Sequence, residues 1–238
     1  MEERVVLVTA GSGGLGKDIA MRLSEVISGV AVHYYSRRRE ALAVKKLIRK
    51  KGKQAASIRA DLTREKQAAA LVRKVEKEFG RLDILVNNFG PILVKPWQNL
   101  TAADWEFSFR SNLLSAYFCM KAALPGMRKR RWGRIINIGY SRAEQLTAFP
   151  NIAAYAVAKT GLLILTRTAA ASVASSGITV NMVSPGLIKG GALPSSKVIP
   201  KGRLGRFKDI SEAVLFLASD NAGYITGTNL IVAGGWKM

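Results

Sequence analysis

Apolar positions along this chain follow two alternating rhythms. Short, nearly continuous runs rich in Val, Ile and Leu are separated by longer stretches in which apolar residues recur every three or four positions. The continuous runs predict strands over 4–10, 30–35, 54–62, 83–88, 133–139, 178–186 and 229–235. The periodic stretches predict helices over 14–26, 39–52, 63–80, 101–127, 153–177 and 209–219. Thr101 with Asp104 reads as the start of one helix, and Asp209 with Glu212 as the start of another. Strands without polar alternation are buried on both faces. The pattern therefore predicts a single α/β domain over residues 1–238, a doubly wound seven-stranded parallel sheet with helices on both faces. In such sheets ligands bind beyond the carboxyl ends of the strands.

Composition changes this picture little. A chain of 238 residues can bury a core without disulfides, and the single cysteine, Cys119, reads as a packed thiol in a helix. The first residues lack the basic start of a signal peptide, and no apolar run reads as long enough to span a membrane, so the expected location is cytoplasmic. Charge is the unusual feature: 37 Lys and Arg against 16 Asp and Glu give +21. The cations cluster at 37–39, 45–46, 49–53 and 128–131. Most are expected to be solvated helix faces and helix ends, with one or two patches for an anionic partner. Nothing resembles an RNA-binding motif or a metal-ligand cluster, so neither nucleic acid nor a metal is expected.

The chemistry concentrates at the strand ends. Residues 9–16, TAGSGGLG, place glycines 11, 13, 14 and 16 between the first strand and the first helix. Such a turn brings backbone N–H groups against a pyrophosphate at a helix N-terminus. Gly11, Ser12, Gly14, Leu15 and Gly16 are the expected contacts. The second strand ends in Ser36, Arg37 and Arg38 rather than an acidic residue. A hydroxyl and two guanidinium groups suit a ribose 2′-phosphate, so NADP(H) is expected over NAD(H). Asp61 and Leu62 after the third strand, and Asn88 and Gly90 after the fourth, belong where adenine and its ribose would rest. His33 reads as packed within its strand. Tyr155 and Lys159 stand four apart on one helix, hence on one face. A neighbouring ammonium lowers a phenol pKa toward the range useful for proton transfer.

Taken in order, TAGSGGLG, ADL, NNFG, SNLLSAYF, RIINIG, YAVAK, VSPG and YITGTNLIVAGG resemble the short-chain dehydrogenase/reductase family over nearly the whole chain. Bacterial 3-oxoacyl-acyl-carrier-protein reductases, in fatty acid biosynthesis, are the most similar members, and HYYSRR also looks like pteridine reductases. The resemblance implies a Rossmann fold and an oxidoreductase. It implies that Tyr155 exchanges the proton and that Lys159 also meets the nicotinamide ribose. Asn112 would sit in a helix distortion linked to the lysine. Pro185, Gly186 and Ile188 would line the nicotinamide side. The family's first motif glycine is replaced by Ala10, which negative φ would accommodate. The family also places a serine thirteen residues before the tyrosine. Here that position is Arg142, the residue directly after the fifth strand is Tyr140, and Ser141 lies between them. A one-residue bulge turning Ser141 inward would complete the catalytic group Asn112, Ser141, Tyr155 and Lys159; otherwise Tyr140 or Arg142 lines the pocket.

The expected substrate is a ketone, foremost a 3-oxoacyl thioester, with an acidic acyl carrier protein as possible partner and the basic cluster at 128–131 as its rim. The loop over 187–206 is short for a substrate lid. A pteridine or other small-carbonyl reductase is the alternative enzyme. A nucleotide-binding regulatory protein without turnover is the alternative of another kind. The resemblance also implies a homotetramer built through the two long helices and the C-terminal strand, with the GGW near the end contributing.

Overall fold

The computed structural model describes residues 3–190 and 198–237. Seven strands form one wholly parallel sheet: β1 (Val5–Val8), β2 (Gly29–Tyr34), β3 (Gln54–Arg59), β4 (Ile84–Asn87), β5 (Gly133–Ile138), β6 (Ile178–Pro185) and β7 (Asn229–Val232). Their spatial order is β3-β2-β1-β4-β5-β6-β7. The chain winds outward from β1 to β3, then restarts at β4 beside β1 and winds the other way. The crevice above β1 and β4 is the topological switch point.

The uninterrupted apolar strands have a simple cause. Along β1, Val6 and Val8 enter one core cluster, with Ile19, Leu23 and Leu217, while Val5 and Leu7 enter the other, with Leu71, Val75 and Met127. Successive side chains point to opposite faces, and both faces are covered. Helices α1 (Gly14–Leu23), α2 (Arg38–Lys50) and α7 (Phe207–Ala218) cover the first face. Helices α3 (Glu65–Phe79), α5 (Ser115–Arg130) and α6 (Ala153–Val173) cover the second. Helix α4 (Ala102–Phe109) leads into α5. Cys119 is wholly buried in the second core, and burial pushes its thiol up to about 12, as expected of an inert packed side chain.

Four expectations need correction. The stretch read as one helix over 101–127 runs to Arg130 and is interrupted by a π-helical turn, Arg110–Leu114, centred on Asn112. Its start is as expected: Thr101 and Asp104 form a reciprocal capping box. Asp209 does not begin α7. It stands in the third helical position, accepts a hydrogen bond from the Arg206 N–H at 2.7 Å and pairs with Arg203. Helix α6 with its following turn, Ala153–Ser176, is long and apolar enough to cross a membrane, contrary to the sequence reading. Leu162, Leu163, Thr166, Ala170 and Val173 turn one face of it into the core. Finally, the basic cluster at 128–131 ends α5 beside the first residues of β4 and β5, at the edge of the sheet opposite the crevice. Arg130 binds the Leu82 carbonyl and buried Asp83, and Arg131 the Ser175 carbonyl. It cannot rim the cleft of its own subunit.

Candidate active site

The turn from β1 into α1 is held from three sides. The Thr9 hydroxyl accepts the Asn88 and Phe89 N–H groups at 2.8 and 2.9 Å. Asn88 Nδ2 donates to the Thr9 and Ala10 carbonyls. His33 Nδ1 accepts the Ala10 N–H at 3.0 Å, so the ring proton lies on Nε2, 3.1 Å from the Ala60 carbonyl. Burial lowers the imidazole to about 4, which keeps it neutral and able to accept. His33 is thus packed, as the sequence implied, but it also fixes the turn.

Ala10 departs from expectation. Its φ is +49°, in the left-handed region, not negative. An alanine there costs about 1–2 kcal/mol, part of which glycine would forfeit again as chain entropy. Ala10→Gly should therefore raise the unfolding free energy by about 0.5–1 kcal/mol, seen as a higher urea midpoint at constant slope. An unchanged or lower midpoint would show that the turn is not strained.

Helix α1 begins without any side-chain cap, which leaves its first-turn N–H groups to the cleft. Gly16 is indispensable to that geometry, since a Cβ would lie 2.3 Å from the Ala10 carbonyl oxygen. Ser12, Gly14, Leu15, Gly16, Ser36 and Arg37 line a cavity of about 380 Å³ at this end. The Arg37 guanidinium lies over the loop, 3.3 Å from where a Gly13 Cβ would stand. Glycine at 13 is therefore matched to the arginine. Three expected cofactor residues, and a fourth, sit back from this wall. Gly11 is buried beneath the turn, and Arg38 opens α2. Leu62 belongs to the second core, and Asp61 spends its oxygens on Thr63 and Arg64.

Beyond Leu15 and Asn88 the crevice widens to a second cavity of about 550 Å³. Gly90, Tyr155, Pro185, Gly186 and Ile188 line it. Lys159 lies behind Tyr155, 3% exposed, its Nζ donating to the Ile138 carbonyl at 2.7 Å and 5.7 Å from the tyrosine ring centre. The π turn delivers Asn112 to the same place. Its Nδ2 donates to the Pro91 and Ser108 carbonyls, while its Oδ1 is buried without a partner. A Cβ on Gly90 would stand 2.6 Å from that Oδ1 and 2.9 Å from Lys159 Nζ. Asn112, Lys159 and Gly90 therefore converge. Gly90→Ala should cost about 10²-fold in kcat while the circular dichroism spectrum stays native; full activity would mean the convergence is incidental.

The proton chemistry differs from the sequence expectation. Burial, with Tyr140 alongside, raises the Tyr155 phenol, and burial lowers Lys159 to about 7. Burial dominates, and both groups move toward their neutral forms. The lysine carries a stability signature. Below pH 7 its ammonium is buried at full cost; between 7 and 10.5 only the unfolded chain stays protonated, so that cost fades as pH rises. Lys159→Met should stabilise the fold most at pH 7 or below, with the gain shrinking by about 2–3 kcal/mol by pH 9. A pH-independent effect in urea unfolding would contradict this.

Ser141 does not reach the cleft. Its N–H donates to the Pro185 carbonyl at 3.1 Å, its side chain is 2% exposed, and Oγ has no partner. Ser141 is not among the residues that line the cavity. Tyr140 and Arg142, on either side, line the cavity instead. The Tyr140 ring meets those of Tyr155 and Phe149 edge-on, with centres 5.7 and 6.1 Å apart. Phe149 and Trp236 were missed as cleft residues; no local motif marks them. Trp236, expected at a subunit contact, is 6% exposed and turned into its own chain's cleft. Of the short loop at 187–206, residues 191–197 lie outside the described residues; the flanking parts pair through Ile188 and Gly205.

The residues present fit a dinucleotide: an uncapped helix start beneath a glycine turn, a guanidinium over it, and an orphaned buried Asn112 Oδ1 at the far end. The family model described as enoyl-(acyl carrier protein) reductase matches residues 9–237. The 3-oxoacyl-(acyl-carrier-protein) reductase of Staphylococcus aureus is 36% identical over 241 residues, covering 98% of this chain and 97% of that one. That of Haemophilus influenzae is 37% identical over 247 residues, covering 99% and 98%. A solved structure described as a short-chain alcohol dehydrogenase of Sinorhizobium meliloti superposes with a TM-score of 0.93 at 32% identity, over 99% of this chain and 97% of that one. Glycine turn, tyrosine–lysine pair and full-length similarity agree: the chain belongs to the short-chain dehydrogenase/reductase family of oxidoreductases.

Proposed function

We propose that the protein is an NADPH-dependent carbonyl reductase acting on a ketone, foremost a 3-oxoacyl thioester, to give the 3-hydroxy product. The observation that carries the reading is Tyr155 at the cleft wall with Lys159 and Asn112 converging behind it. The similarity to 3-oxoacyl-(acyl-carrier-protein) reductases supports the thioester. Arg37 over the glycine loop, with no acidic residue lining that end among the described residues, supports the phosphorylated cofactor.

When bound, the cofactor supplies the hydride. The chain's residues do the rest. Ser12 and the α1 N-terminus hold the pyrophosphate, and Arg37 with Ser36 holds the 2′-phosphate. Pro185, Gly186 and Ile188 bound the nicotinamide side. Tyr155, kept as a phenol by burial, donates its proton to the carbonyl oxygen; the raised pKa keeps this donor protonated at neutral pH. Lys159 stabilises the phenolate that this donation leaves, a proton from solvent restores the phenol, and Asn112 Oδ1 offers the lysine an acceptor. Tyr140 takes the wall position beside the carbonyl that the serine was expected to fill. A homotetramer is part of the proposal. Phe107 on α4, Tyr117 on α5, and Val157 and Ile164 on α6 are 40–61% exposed in the single chain.

The test is steady-state NADPH oxidation with an acetoacetyl thioester and with a pterin. Turnover of the thioester supports the reading. Turnover of the pterin alone favours the small-carbonyl alternative. NADPH binding with neither reaction favours a regulatory role.

A further inference from the structure

The substrate end of the cleft carries charge that the reduction itself does not require. Arg142 lines it, and so does Lys237; no acidic residue lines it among the described residues. Arg142 makes no ion pair among the described residues, although nearby Glu144 does, with Arg167. Its guanidinium is nonetheless held in place. Nε donates to Gln145 Oε1 at 2.7 Å, and Cζ stacks 4.6 Å from the centre of the Phe149 ring. That fixes the plane while leaving the Nη edge without a carboxylate. Phe149 abuts Tyr140, and Tyr140 abuts Tyr155. By that route two aromatic rings, Phe149 and Tyr140, connect Arg142 to the proton donor. A half-buried guanidinium, oriented by stacking and facing an apolar cleft without a counter-ion, is built to take an anion bidentately.

We propose that Arg142 is a specificity-determining residue that receives a carboxylate carried by the ketone substrate close to its reacting carbonyl. The proposal rests on the carbonyl-reductase reading and narrows it. The substrate is a short oxo acid, or a short oxoacyl thioester that bears a carboxylate within a few bonds of the ketone. A neutral ketone leaves the guanidinium unpaired in a drying cleft, which penalises its binding. Lys237, on the exposed side of Trp236, adds long-range attraction for the same anion.

The experiment compares acids with their methyl esters: acetoacetate against methyl acetoacetate, and levulinate against methyl levulinate. Each pair is measured with wild type, Arg142→Gln and Arg142→Lys, by kcat/KM with NADPH and by calorimetric binding of the unreacted ketone. The expected result is an acid-to-ester preference of at least roughly 10-fold for one pair in wild type, lost in Arg142→Gln and partly restored in Arg142→Lys. Esters preferred throughout, or an acid-to-ester ratio unchanged by Arg142→Gln in a protein with wild-type melting temperature, would overturn the proposal. Calorimetry separates the two failures. If no ketone turns over but acetoacetate binds wild type and not Arg142→Gln, the anion site stands and the reductase reading falls. If thioester and ester turn over while no acid binds, the reductase reading stands and the anion site falls.

Discussion

Tyr155→Phe should lower kcat for ketone reduction by about 10²–10⁴-fold while leaving NADPH affinity and melting temperature close to wild type. Tyr155 lines the cleft, and its hydroxyl makes no hydrogen bond among the described residues; the ring is packed against Tyr140 and stays in the variant. The change thus removes a proton donor and little else. A KM rise with kcat unchanged would mean the hydroxyl only binds substrate. Because burial raises the phenol, the reductive rate should persist into mildly alkaline solution, where a tyrosine tuned toward neutrality would already have lost its proton. Tyr140 gives an internal control. It touches Tyr155 edge-on and stands beside the carbonyl without Lys159 and Asn112 behind it, so Tyr140→Phe should lower kcat by less than Tyr155→Phe does.

The second large effect concerns cofactor choice. Arg37→Ala should raise the NADPH dissociation constant by about 10–10²-fold, the worth of a charge-assisted hydrogen bond to phosphate, with NADH little changed. Arg37 alone among the three expected phosphate ligands pairs cleft exposure with a guanidinium. Ser36 lines the cleft without charge, and Arg38 is charged but opens α2 away from the lining. Arg38→Ala should accordingly do less. Equal losses for NADPH and NADH in Arg37→Ala would place the guanidinium on the shared pyrophosphate instead.

The sheet was legible because its strands are buried on both faces and so leave unbroken apolar runs. Strand ends were read too long, since β1 stops at Val8 and the following Thr9 and Ala10 already belong to the turn. The π turn at Asn112 was foreshadowed only by an asparagine inside a helical pattern; no periodicity separates one extra residue per turn from a continuing helix. Tyr155 and Lys159 were readable because a helix fixes their spacing. Ser141 was not, because a loop does not: its direction follows from the Pro185 carbonyl, which arrives from β6, 44 residues away in sequence. The sign of φ at Ala10 was equally hidden. It is set by His33 on the neighbouring strand, whose ring accepts the Ala10 N–H. At 128–131 charge alone could not place the cluster, which topology sets at the amino ends of β4 and β5, away from its own subunit's cleft.

Hydride delivery to a ketone is the central claim, and isotope transfer reads it most directly. Incubating the protein with acetoacetyl thioester and NADPH carrying deuterium at both nicotinamide C4 positions, then weighing the product, follows the transferred atom itself. The reductase reading predicts a 3-hydroxyacyl product heavier by one deuterium, absent when Tyr155→Phe replaces the wild type. Cofactor that binds but never passes deuterium to this or any other ketone would contradict it.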